Sequence, residues 1–101
     1  MVQDELYLKT LNEHFEVDFT QCESSNIFAY AFIPSGIPAK PRLGTVYIAF
    51  KNRKVYSYST VSESTFANLD AAESKGKFVN QNFVNNKTLT VHKYEVQDSE
   101  K

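Results

Sequence analysis

The chain predicts an α+β fold: an antiparallel sheet of four to five strands with one or two short helices packed on one face. Three observations point there. Residues 14–20 (HFEVDFT) alternate apolar and polar side chains with the period of two that a half-buried strand requires. Residues 45–50 (TVYIAF) and 54–59 (KVYSYS) are strand-like runs joined by a short connector, the arrangement of a hairpin. Residues 61–72 (VSESTFANLDAA) carry a helix start followed by an apolar stripe. At 101 residues, 42% hydrophobic and 14% aromatic, the chain is one domain's worth and can bury a small core. Eight Phe and six Tyr, with no Trp, make aromatic rings the main filling.

Taken in order, residues 1–12 are weakly patterned and read as an N-terminal arm or an extra short element ahead of a domain over residues 13–96. In residues 14–20, Phe15, Val17 and Phe19 share one face, and His14, Glu16, Asp18 and Thr20 share the other. Residues 26–33 (NIFAYAFI) are richer in apolar side chains, as a central strand is. Residues 34–44 (PSGIPAKPRLG) hold all three prolines and two of the three glycines, which makes them a loop. The loop is long for a hairpin connection, a length associated with function.

The hairpin connector, Lys51-Asn52-Arg53, has an Asn that tolerates a left-handed backbone. Val46, Ile48 and Phe50 fall on one face of their strand, and Tyr56 and Tyr58 point the same way in the next. In the helix, Ser62 is a good N-cap and Glu63 suits the positive end of the dipole. Val61 and Phe66 have the spacing of a hydrophobic staple, and Phe66 with Leu69 forms the apolar stripe. Lys75-Gly76-Lys77 reads as a helix stop. Residues 78–84 are ambiguous; a short helix there sets Phe78 near Asn82. Residues 87–96 read as a last strand and residues 97–101 as a disordered tail.

Composition restricts the function. Eleven Lys and Arg stand against twelve Asp and Glu, for a net charge of −1. Nucleic-acid binding must therefore rest on a local patch. The single cysteine, Cys22, forms no internal disulfide and fits a reducing compartment. The first residues lack a signal-peptide pattern, and no apolar run is long enough to span a bilayer. The expectation is a cytoplasmic protein with no membrane role. His14 and His92 fall on the polar faces of separate strands, and neither has a metal-site spacing. Gly76-Lys77 lacks the flanking residues of a phosphate-binding loop. The chain is expected to be no enzyme, with no catalytic residue, metal or cofactor.

Several pieces follow one another in a fixed order: SSNI at 24–27, Tyr30, VYIAFKNRKVYSY at 46–58 with its central Y-x-Y, and VSESTFANLDAAESKGKFVN at 61–80. On these pieces residues 24–85 resemble the KTSC domain, a short module at the C-terminus of some lysyl-tRNA synthetases that also stands alone in small bacterial and phage proteins. The resemblance implies RNA binding, suggested by the module's place beside a tRNA synthetase. Two departures stand out. The family tends to carry basic residues where this chain has Gln81, Asn82, Phe83 and Val84, and its hairpin turn usually has Gly where this chain has Arg53.

The candidate ligand-binding residues follow. Tyr56 and Tyr58 can stack bases. Arg53 adds charge at the hairpin turn with Lys51 and Lys54. Lys75, Gly76 and Lys77 can meet a phosphate. Asn80 and Asn82 offer amides for base edges. Against this stands a packing reading, in which both tyrosines lie under the helix and the lysines cap it. The leading function is a non-enzymatic binding module for nucleic acid (RNA) or a nucleotide. The alternative is a protein–protein interaction or inhibitor module, such as a phage-encoded counter-defence protein acting as an oligomer in the host cytoplasm. An outer strand bearing Tyr94 and Val96, or the proline-rich loop, then supplies the contact in a homodimer or with a protein partner.

Overall fold

The computed structural model describes residues 3–36, 42–86 and 89–95. Residues 37–41 of the proline-rich loop, Val96 and the tail at 97–101 lie outside the described residues. The elements in order are α1 (Gln3–Phe15), β1 (Thr20–Gln21), β2 (Ile27–Pro34), β3 (Leu43–Phe50), β4 (Lys54–Ser62), α2 (Glu63–Ala71), α3 (Lys75–Val79) with a π-helical turn at Asn80–Val84, and β5 (Val91–Glu95). The strands form one five-stranded antiparallel sheet in the order of the chain. This is the α+β class expected. The helices, however, cover both faces of the sheet.

On one face, Tyr30, Val46, Ile48 and Tyr58 meet Leu69 of α2, Val79 of α3 and Phe83 of the π turn. Ring contacts join the layers: Phe32 stacks on Phe66 at 5.0 Å and Tyr58 on Phe83 at 5.3 Å. On the opposite face, Tyr7 and Leu11 of α1 pack with Phe28, Ala29, Ala31, Ala49 and Val55. The three alanines leave room for the helix to approach.

Two further expectations need correction. Residues 14–20 are not a strand: α1 runs through Phe15, and only Thr20 enters the sheet. Glu16 takes the left-handed conformation, φ 56°, and the Val17 N–H donates to the Asn12 carbonyl at 3.2 Å. That is a Schellman closure made without glycine. The Phe19 N–H then donates to Asn12 Oδ1 at 2.8 Å. Phe15, Val17 and Phe19 still face the core while Glu16 and Asp18 are exposed, so the alternation reported burial correctly and conformation wrongly. The other correction concerns Gly76, which lies inside α3 rather than stopping α2. The chain instead leaves α2 at Ala72, which is extended at φ −68° and ψ 137°.

The α2 start is as read. Ser62 accepts the Thr65 N–H, and Val61 and Phe66 join the same apolar cluster. The hairpin connector closes with Arg53 at φ 72°, the Arg53 N–H donating to the Phe50 carbonyl at 3.1 Å.

Candidate functional site

A cleft of about 580 Å³ opens where the start of β2 meets the start of α3. Glu23, Ser24, Ser25 and Asn26 form one wall; Glu73, Ser74, Lys75, Gly76, Lys77 and Asn80 form the other. The first wall is a tight turn. Ser24 Oγ accepts the N–H groups of Asn26 and Ile27 at 3.4 and 3.3 Å and donates to Asn26 Oδ1 at 3.2 Å. The second wall begins at Ser74, whose hydroxyl accepts the Lys77 N–H at 3.3 Å. Gly76 lets the walls touch: a Cβ there would lie 2.4 Å from Asn26 Oδ1. Glycine is required here for close approach, not for a left-handed backbone.

Lys75 is held by the fold. Its ammonium donates to the carbonyls of Asp70 and Ala72 at 3.1 and 2.9 Å, the free end of α2. It also stands 5.9 Å from the centre of the Tyr30 ring. The Tyr30 hydroxyl donates to Asp70 Oδ1 at 2.6 Å. Burial first, then the Asp70 hydrogen bond, holds that hydroxyl well above the ordinary tyrosine range. Cys22 packs against the same cluster; burial pushes its thiol up against the pull of the Lys75 and Lys51 ammoniums. A half-buried thiol raised in this way is a poor nucleophile. Lys77, in the last turn of α3, is exposed.

The remaining sequence candidates are dispersed. Tyr58 is buried at 3% exposure, and its hydroxyl is pushed up to about 12 by burial and then by Tyr56. Tyr56 is half-buried and stacks on Tyr58 at 6.5 Å. The two do share a face, but Phe83 of the π turn covers Tyr58 while Phe66 of α2 covers Tyr30 and Phe32. Arg53 lies on the other side of the sheet, its guanidinium 4.2 Å from the centre of the Tyr7 ring. The Asn82 amide donates to the Phe78 carbonyl at 2.9 Å and lines a different cleft with Val61, Thr65 and Leu89. So four of the eight candidates, Lys75, Gly76, Lys77 and Asn80, share the polar cleft.

The family model of the KTSC domain matches residues 23–86, which takes in both walls of the cleft. The chain belongs to the KTSC domain family. The crystal structure of a KTSC domain protein from Yersinia pestis is similar at 25% identity and a TM-score of 0.59, over 75% of this chain and 94% of that one. No curated protein matches. In this KTSC domain, α1 precedes the matched segment and β5 follows it.

Sequence reasoning missed Ser24, Ser25 and Asn26 as site residues, although SSNI was among the resembling pieces. The signal lay in pairing that piece with Gly76, a contact across about fifty residues that local patterning does not report. Among the described residues, no cluster of His, Cys, Asp and Glu is arranged to hold a metal, and no helix is long and apolar enough to cross a membrane.

Proposed function

We propose that this KTSC domain is a non-enzymatic binding module whose polar cleft holds a nucleotide, either free or as part of an RNA strand. One observation carries the reading: two family segments distant in sequence close a cleft of about 580 Å³ lined by hydroxyls, amides and an exposed lysine. Serine and asparagine side chains suit sugar hydroxyls and base edges, and Lys77 suits a phosphate. Glu23 and Glu73 line the same cleft and balance Lys75 and Lys77. A cleft balanced in this way lacks the positive groove that tracks many phosphates. A ligand with one or two charges in the cleft fits best.

The test is calorimetric titration with the four ribonucleoside monophosphates and a short single-stranded RNA, at about 50 and about 200 mM salt. Binding of at least one nucleotide with weak salt dependence supports the reading, and Lys77→Ala weakens it at unchanged stability. No binding to any nucleotide or RNA sinks it. Binding to RNA alone, with affinity falling steeply in salt, replaces it with backbone tracking.

The protein-interaction alternative draws on β5, which closes the sheet order and leaves Val91 45% exposed. Sedimentation decides between them: a concentration-dependent dimer lost on Val91→Lys favours self-association through that edge, and a strict monomer leaves it without support.

A further inference from the structure

Beside the polar cleft opens a second, apolar notch of about 290 Å³, lined by Phe50, Asn52, Tyr56, Tyr58 and Val84. Three links make the two neighbours. Ile27, next to Asn26, pairs with Phe50 across β2 and β3. The Lys51 N–H donates to the Asn26 carbonyl at 3.0 Å. Asn80 lines the cleft and Val84 lines the notch, the first and last residues of one π-helical turn. Residues four apart on such a turn fall along one edge. Cleft and notch thus follow the same helix edge over the same end of the sheet.

The notch has the chemistry of a slot for a flat ring. Tyr56 stacks on Tyr58 with planes 20° apart and meets Phe50 edge-on, at 86° and 5.6 Å. Two aromatic walls therefore stand nearly at right angles. Val84 adds an aliphatic wall, and 51% of it is exposed. Asn52 adds polarity: its Oδ1 accepts the Lys54 N–H at 3.0 Å, which fixes the amide and leaves its N–H groups to donate. Apolar faces with a polar group at the edge are what a nucleobase presents.

We propose that the notch is a nucleobase slot and that notch and cleft together hold one nucleotide. The base lies against Tyr56 and Val84 with its edge at the Asn52 amide. The sugar and phosphate run past Lys51 into the polar cleft, where Lys77 and Asn80 meet them. The inference rests on the nucleotide reading of the polar cleft and adds to it the place and chemistry of base recognition. It also gives the half-buried Tyr56 a role that Tyr58, at 3% exposure, cannot take.

The experiment is a protein-detected NMR titration with adenosine monophosphate, adenosine and ribose 5-phosphate, on the wild type, Val84→Trp and Lys77→Ala. Val84→Trp fills the notch from an exposed position, so the fold is retained. It should weaken the monophosphate and the nucleoside roughly tenfold or more while leaving ribose 5-phosphate unchanged. Lys77→Ala should weaken the two phosphates and spare adenosine. Unchanged monophosphate affinity in Val84→Trp overturns the slot. Loss on Val84→Trp with no effect of Lys77→Ala keeps the slot and overturns the polar-cleft reading. No binding of any probe to the wild type overturns both.

Discussion

Gly76 and Glu16 are opposite cases of a backbone position and its residue. At Gly76 an added methyl collides with Asn26 Oδ1 at 2.4 Å and crowds Ser24 Oγ at 3.2 Å. Alanine favours helix by about 1 kcal/mol, but overpacking costs about 1–3 kcal/mol, and the turn at residues 24–26 is itself hydrogen-bonded. Gly76→Ala should therefore destabilise in urea denaturation and shift the amide resonances of residues 24–26. Unshifted resonances mean the walls do not touch. Glu16, exposed at φ 56°, pays for a left-handed backbone that glycine adopts freely. Glu16→Gly should stabilise by about 0.5–1 kcal/mol in the same measurement. Tyr58 sets a pH limit. Its folded hydroxyl is raised to about 12, above the ordinary value of 10, so its contribution is complete below pH 10 and fades as pH rises toward 12. Urea midpoints should fall through that window, and less steeply in Tyr58→Phe. Equal slopes in the two proteins mean the hydroxyl is not buried in solution. Tyr30 shifts in the same direction, so some alkaline loss remains in the variant.

Between residue and fold, the helix ends decide what the lysines do. Lys75 covers the last carbonyls of α2, and Lys77 is exposed. Lys75→Ala should lose about 1–2 kcal/mol of stability, as cap and dipole contacts do. Lys77→Ala should stay within about 0.5 kcal/mol of wild type. Equal effects in thermal or urea unfolding would show that Lys75 is not committed to α2. Lys75 and Lys77 looked alike in sequence because the α2 end that engages only Lys75 is set by an extended Ala72, a residue with no helix-stop signature. The α2 start was legible, since Ser62, Val61 and Phe66 report a cap and staple locally. So was the β3–β4 hairpin, where the alternation correctly set Tyr56 and Tyr58 on one face, opposite Ile48 and Val46. The α1 helix was not legible. Its end relies on Glu16 where glycine is usual, and the alternation after it arises from core contacts of an irregular segment. The cleft was half legible: the Lys75–Asn80 wall could be read, but its partner depends on a long-range contact at Gly76.

For the whole molecule, the main question is how a five-stranded sheet with helices on both faces divides its stability. The matched family segment, residues 23–86, supplies β2, β3, β4, α2 and α3 and every fully buried residue of one core. The opposite core needs α1, which lies ahead of that segment. Tyr7 and Leu11 are 1% and 0% exposed, and Ala29, Ala49 and Val55 beneath are as closed. Arg53 adds a cation–π contact from the hairpin tip to Tyr7, which ties α1 to the strands that carry the notch. Burying a large apolar side chain contributes about 1.5–3 kcal/mol, so Tyr7 and Leu11 with their neighbours rival the about 5–15 kcal/mol that holds a whole domain together. Removing residues 1–15 should therefore abolish the cooperative unfolding transition, or leave a protein that associates through the bared face. Circular dichroism melts and light scattering on the truncated chain distinguish these. A monomer that melts cooperatively near the wild-type temperature would show that the remaining sheet sustains its second face alone. Arg53→Gly refines the test. It relieves a left-handed backbone at φ 72° but removes the contact to Tyr7, so the difference between the stability change of the Arg53→Gly/Tyr7→Leu double variant and the sum of the two single changes measures how firmly the hairpin tip is coupled to α1, and additive changes mean it is not.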